Sequence, residues 1–187
     1  KMAVILQEVC GTEQEGLFMP TFSGVARSIN YYPIGDERAE DGVCNVAMGL
    51  GKLVVDGGRT LRFSPAFPQR ILQPSTPELA LRETQNEVLA LDLNPASFRA
   101  STDDAINIKH LKLTEREPIR HTRYVTSVWD RENERISDSP FDRGRRVITF
   151  NNILQYRTFP LAPIVSEILA LGADEMRCPV EVEFAVN

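Results

Sequence analysis

The first apolar run, residues 3–9 (Ala-Val-Ile-Leu-Gln-Glu-Val), alternates weakly, is rich in β-branched types and is closed off by Gly11, which predicts a mostly buried strand. A turn follows over 12–16. The segment 22–32 sets Val25, Ile29 and Tyr31 on one side and stops at Pro33, so it suits a second strand paired to the first in a long hairpin. An acidic loop at 36–41 leads to the apolar run 43–48, a glycine-rich turn at 49–58 and a short strand over 60–63. Pro65, Pro68, Pro74 and Pro77 punctuate the next loop. Thr76 and Pro77 read as the N-cap and first residue of a helix over 78–91 with Leu79, Leu81, Val88, Leu89 and Leu91 as its apolar set. Residues 94–142 are more polar, an elaboration on the main sheet with strands at 105–113 and 121–129 and a turn at 130–134. A strand at 145–150, an amphipathic helix at 161–171 ended by Gly172, and a last strand at 179–186 complete the pattern. The fold class expected is α/β in the α+β sense: one domain over 1–187, a mixed, mostly antiparallel sheet with packed helices, and no internal repeat.

Composition narrows the classes. At 187 residues the chain lies near the ~150 typical of one domain. With 42% hydrophobic and 25% charged residues it is neither disordered, collagenous, coiled-coil nor a disulfide-held miniprotein. No run approaches the roughly 18 apolar residues of a membrane span, and Lys1-Met2-Ala3 lacks a signal-peptide pattern, so a cytoplasmic location with no membrane partner is expected. A net charge of −5 gives no positive field for nucleic acid. The 17 arginines against 4 lysines favour bidentate holding of carboxylates or phosphates, or surface ion pairs. Cys10, Cys44 and Cys178 are expected as buried free thiols. Both chain ends are apolar and strand-like where natural ends are polar, which reads as a piece of a larger protein.

The glycine-rich stretch fails both common phosphate motifs. Val46 stands where a P-loop needs its first Gly and Leu53 where it needs Ser or Thr, while Val54 replaces the last Gly of G-x-G-x-x-G. Beside Lys52, Arg59 and Arg62 the turn can cradle an anion through backbone N–H groups, or serve as a plain turn. Glu181 and Glu183, two apart on the last strand, project from one face opposite Val180, Val182, Phe184 and Val186. Such a pair can hold Mg²⁺ against phosphates, or stand as a solvated strand face. His110 and His121 have no partnering motif, Ser23 lacks the preceding Gly of a hydrolase elbow, and 142–146 reads as an exposed turn.

Four segments in order, Val4-Ile-Leu-Gln-Glu-Val, Phe22-Ser-Gly-Val-Ala, Gly49-Leu-Gly-Lys-Leu-Val-Val-Asp-Gly and Pro179-Val-Glu-Val-Glu-Phe-Ala, resemble the nucleotide-binding domain of the phosphoenolpyruvate synthase and pyruvate phosphate dikinase family. The resemblance spans nearly the whole chain except 94–142. It implies an ATP-grasp fold, ATP and Mg²⁺ as cofactors, and a parent kinase that passes a phosphoryl group to a histidine on a partner domain and then to pyruvate in a barrel domain. Carried over, Gln7, Glu8 and Val9 would form the hinge strand that reads adenine and ribose. Gly49, Gly51, Lys52 and Arg62 would line the ATP phosphates, and Arg59 would be the catalytic arginine facing the transferring group. Glu183 would be the metal ligand, with Glu181, and Asn45 or Asp41, as further candidates. Lys52 departs from the family's Glu, and the family's V-R-S-S segment has no counterpart here. On its own the chain is expected to bind ATP weakly and turn over little. A degenerate module with a binding or regulatory role, or a related dikinase with another acceptor, is the alternative.

Overall fold

Six consecutive residues, Val43-Cys-Asn-Val-Ala-Met48, are apolar except for Asn45, and such a run is buried on both sides only as an interior strand. The computed structural model describes residues 2–4, 6–103, 105–112, 122–139, 141–142 and 144–187. In chain order its elements begin β1 (Thr12–Gln14), β2 (Leu17–Met19), β3 (Phe22–Arg27), a 3-10 turn (Ala39–Asp41), β4 (Val43–Met48), α1 (Lys52–Val55), β5 (Leu61–Phe63), α2 (Pro77–Glu83), β6 (Glu87–Asp92) and β7 (Ile108–Lys112). They continue with α3 (Thr122–Val125), β8 (Thr126–Asp130), β9 (Arg135–Ser137), β10 (Arg145–Ile148), α4 (Asn151–Leu154), α5 (Leu161–Met176) and β11 (Glu181–Val186). The strands form three antiparallel sheets in the orders β11-β3-β4-β5, β1-β2-β6-β7 and β10-β8-β9. This is the mixed helix and antiparallel-sheet class that the pattern predicts.

In the first sheet β4 is interior and buried over five of its six residues. One sheet face carries Phe22, Ala26, Cys44, Val46, Met48, Leu61 and Phe63, and it packs on Leu161, Val165 and Leu169 of α5 and on Phe150, Ile153 and Leu154. The Phe22 ring meets Phe150 edge-on at 5.6 Å and Phe159 at 6.2 Å between centroids. Each large side chain buried there contributes about 1.5–3 kcal/mol.

A side-chain staple joins this sheet to the second one. Buried Gln85 accepts from Met48 N–H at 2.8 Å and donates through Nε2 to Met48 O at 2.9 Å and Glu87 O at 2.7 Å. The Gln85 amide thus stands in for a strand beside Met48. Leu50 N–H then donates to Leu89 O at 3.0 Å. Gly49 is required at this crossing: its φ is +86°, and a Cβ would lie 2.6 Å from Leu89 O.

Several sequence expectations are corrected. Residues 6–9 are exposed coil, no strand forms among the described residues of 3–9, and the hairpin with 22–32 is absent, because β3 already has β11 on one side and β4 on the other. β3 ends at Arg27, leaving Tyr31 and Tyr32 exposed. The helix over 78–91 stops at Glu83. Thr84 turns extended (ψ 164°), and Val88, Leu89 and Ala90 are all buried, which a strand covered on both faces achieves and a surface helix does not. The N-cap holds as expected, with Leu79 N–H donating to Thr76 Oγ1. The glycine-rich turn contains the short helix α1. Residues 122–125 are helical, so the strand predicted from 121 starts at Thr126, and His121 lies outside the described residues. The polar region adds β7 to the second sheet and forms a sheet of its own with β10. α5 runs on to Met176 and ends at Arg177 in left-handed conformation (φ 56°), with Gly172 inside it packed against Val180. All three cysteines are free, yet only Cys44 is buried, and burial pushes its thiol pKa up; Cys178 is exposed.

Gln85→Leu would strand the Met48 N–H and C=O in the core, and each unpaired buried group costs about 1–3 kcal/mol. The expected loss is roughly 2–4 kcal/mol in urea unfolding, against under about 1 kcal/mol for the exposed Gln7→Leu; equal losses would remove the staple's importance.

Candidate functional site

The face of the first sheet turned away from the core is where the sequence-predicted residues gather. Strand register aligns Glu183 with Val25, Val25 with Asn45 and Asn45 with Arg62, one row across all four strands. At a strand spacing of about 4.8 Å, the Glu183 and Asn45 backbones lie roughly 10 Å apart on either side of Val25. The next rows hold Glu181 with Arg27, and Ala185 with Ser23 and Ala47. Alternation dictates this: the residues between them, Val182, Ala26, Cys44 and Phe63, face the core.

The glycine turn is anchored to the end of the same face. Ser23 Oγ donates to Gly49 O at 2.8 Å, and a Cβ on Gly51 would touch Ser23 Cβ at 3.4 Å. Gly49, Gly51 and Lys52 therefore sit beside the Ser23 row. Lys52 forms an i,i+4 ion pair with Asp56 at 3.3 Å along α1.

At the β5 end Arg62 is held by a carboxylate that sequence reasoning missed. Its Nη1 and Nη2 donate to Glu37 Oε1 and Oε2 at 3.1 and 2.6 Å, and Nη2 also reaches Tyr32 O at 3.2 Å. Glu37 further accepts from Asn30 Nδ2 at 2.8 Å and Ile34 N–H at 3.0 Å, with its side chain only 4% exposed. The Arg62 guanidinium first, then the Ile34 and Asn30 donors, hold the Glu37 carboxyl below the ordinary glutamate range, against the opposing effect of burial. No local motif marks Glu37: it lies in the loop that reads as acidic, 25 residues from its partner. Asn30 and Ser23, inside the segment read as a strand, are likewise visible only once the chain is folded.

Other expected residues lie apart from the row. Arg59 is exposed and donates to the Arg82 carbonyl at the end of α2, 2.8 Å away. Gln7, Glu8 and Val9 are exposed and belong to no strand, which corrects the hinge-strand expectation. Glu181 is engaged by Arg27 on the neighbouring strand.

Chemically, the face offers a carboxylate at Glu183, an amide oxygen at Asn45 and, at its β5 end, the Arg62 guanidinium, whose two Nη groups are already held by Glu37. The two oxygens are hard donors suited to Mg²⁺, which takes one or two carboxylates and completes its shell with water and phosphate oxygens. Among the described residues no group of three or more His, Cys, Asp or Glu converges on one point. Compared with known proteins, the chain matches no family model, no curated sequence and no solved structure.

Because Glu37 takes up a proton less readily when folded than when unfolded, its network stabilises the protein above the ordinary glutamate pKa and is lost as pH falls through the lower, folded value. Melting profiles of the wild type and Glu37→Gln should therefore lie furthest apart near pH 6 to 7 and draw together toward pH 3. A gap that stays constant with pH contradicts the assignment.

Proposed function

We propose that the chain is the ATP-binding portion of a phosphotransferase of the phosphoenolpyruvate synthase and pyruvate phosphate dikinase kind, with an ATP-grasp fold. The observation that carries the reading is the single row of Glu183, Asn45 and Arg62 on one sheet face, with the Gly49–Lys52 turn tethered beside it by Ser23. Residues drawn from three of the four ordered sequence segments, from β4 and from β5 meet there, although nothing in their local spacing requires it.

In this reading Glu183 holds Mg²⁺, with Asn45 across Val25 as a second oxygen donor and Glu181 available if Arg27 releases it. Bound Mg²⁺ would neutralise the phosphate charge. The turn's backbone N–H groups and Lys52 take the phosphates from the other side, and Arg62, kept in place by Glu37, faces the anion. Positioning and charge neutralisation are what phosphoryl transfer asks of a protein. Arg59 would have to leave the Arg82 carbonyl to act on the transferring group, and Gln7 to Val9 would have to order against the adenine. Both are movements that ligand binding can drive by differential affinity. The partners are a histidine-bearing domain and a pyruvate barrel of the parent protein.

One observation favours a second reading, a module that binds nucleotide without transferring phosphate. Lys52, which stands where the resembling family has Glu, is paired with Asp56. The two readings part on chemistry rather than on binding.

Mg-ATP titrated calorimetrically into the chain should bind, and Glu183→Gln and Arg62→Ala should each weaken it roughly tenfold or more, about 1.4 kcal/mol. Absence of binding by the folded chain ends the nucleotide reading. Phosphotransfer to histidine by the parent protein that survives Glu183→Ala unchanged favours the second reading.

A further inference from the structure

β11 is an edge strand, and its outer edge is unpaired among the described residues. Ser28 N–H donates to Val180 O at 3.0 Å, so Val180 and, by alternation, Val182, Phe184 and Val186 turn their backbone polar groups toward β3. Those of Glu181, Glu183 and Ala185 therefore point outward. Such a row is a template for another strand, which proteins normally blunt with a proline, a bulge or charged side chains, lysine above all; β11 carries the charged Glu181 and Glu183, which admit a strand of opposite charge. It has no proline, lysine or bulge.

α5 overhangs this edge with a second apolar stripe. The helix starts beside the Phe22 end of β3, where the Phe159 ring lies 6.2 Å from Phe22, and Leu169 reaches Gly42 at the other end of that strand. Leu161, Ala162, Val165 and Leu169 face the core. At about 100° per residue, Ile164, Ile168 and Leu171 make a neighbouring stripe that is 37%, 43% and 62% exposed. Gly172, adjacent to Ile168 on the helix surface, faces Val180, since a Cβ added there would lie 3.2 Å from Val180 Cγ2, which puts the stripe on the β11 flank. Val182, Phe184 and Val186, only half-buried, form the floor. At the far end of β11 a cavity of about 330 Å³ opens between Phe22, Tyr124, Ile153, Phe159 and Val186. A free hydrogen-bonding edge, an apolar floor and an apolar overhang thus line one groove.

We propose that this groove takes an extended peptide segment of a partner protein that pairs antiparallel with β11, with apolar side chains at every second position and Lys or Arg between them. The apolar set would fill the space between Val182, Phe184, Val186 and the Ile164, Ile168, Leu171 stripe, and the last of them would enter the cavity. The basic set follows from charge: α5 and β11 carry Glu167, Asp174, Glu175, Glu181 and Glu183 and no cation of their own; Arg27 of β3 engages Glu181, which leaves Glu183 as the strand's open carboxylate. Arg177, between them, is bonded to Asp174. Backbone pairing supplies affinity and the alternating side chains supply selection, the usual division in strand addition. A second copy of the chain fits less well, because its own β11 carries Glu181 and Glu183, which would repel the same residues, and its sequence over 2–9 offers Glu8 and no basic residue.

The test uses a fluorescein-labelled octapeptide of alternating Val and Lys, titrated into the chain in physiological salt and read by anisotropy. It should bind at least tenfold tighter than a Val-Glu octapeptide and tighter than a block peptide of four Val followed by four Lys. Ala185→Pro removes one outward N–H and leaves the ladder to β3 intact, a position where an edge strand tolerates proline. It should weaken binding tenfold or more while the melting temperature stays within a few degrees, and Ile168→Lys should do the same from the helix side. Equal binding of the block peptide, or undiminished binding by both variants, overturns the proposal. So does a concentration-dependent dimer in sedimentation that Ala185→Pro abolishes, since the occupant would then be a second copy.

Discussion

The Gln85 amide does for two sheets what a ladder does for two strands. Met48 is the last residue of an interior strand, and its N–H and C=O would otherwise face apolar surroundings without a partner. By satisfying both, Gln85 lets β4 end inside the protein and hands the chain directly to the Gly49 crossing, where only a residue lacking Cβ passes the Leu89 carbonyl. The turn that follows owes its position to this point. Ser23 then fixes it from the sheet side, so the glycine turn is determined from two directions by groups that are not charged.

That arrangement divides the labour of the first sheet by face. The core face packs Phe22, Met48 and Phe63 with α5, and it can afford no polar atom. The opposite face collects everything charged, and its charges are balanced in pairs: Arg62 with Glu37, and Arg27 with Glu181. The two pairs differ in kind. Arg27 and Glu181 are about half exposed and screened, so their attraction is worth little. Arg62 and Glu37 are shielded, with the carboxylate satisfied by four donors, so removing either partner leaves a buried charge uncompensated. Glu183, by contrast, is exposed on the edge strand beside Val25, with no ion-pair partner among the described residues.

Much of this was legible in the sequence, and what was not has identifiable causes. The Thr76-Pro77 cap, α5, β11 and the short strands near 61, 108 and 145 follow from local signals, and alternation on β11 places both glutamates on the polar face. The helix over 78–91 failed because a period-3.6 reading of Leu79, Leu81, Val88 and Leu89 ignores that Gln85 is needed by Met48, 37 residues away. The strand over 3–9 failed for the opposite reason: its propensity is real, but β3 has no free side to offer it. Propensity is a weak prior, and tertiary competition for partners decides. Glu37 was invisible because a buried carboxylate and a solvated one look alike until the fold brings an arginine to it.

The same competition explains why β11, rather than β5, is the edge that matters. Both bound the first sheet, but β5 is three residues long and lies beside a loop tied down by Arg62 and Glu37. A strand that short offers too few outward groups to hold a partner against the entropy of ordering it. β11 is six residues long, regular, and overhung by an apolar helix flank that a solvated edge would not require. Its two faces also serve different ends, since the Glu183 side belongs to the polar row and the Phe184 side to the groove. An added strand would cover the apolar side while its basic residues met the carboxylates, so occupancy of the groove and cation binding at Glu183 would be coupled through the charge on a single strand.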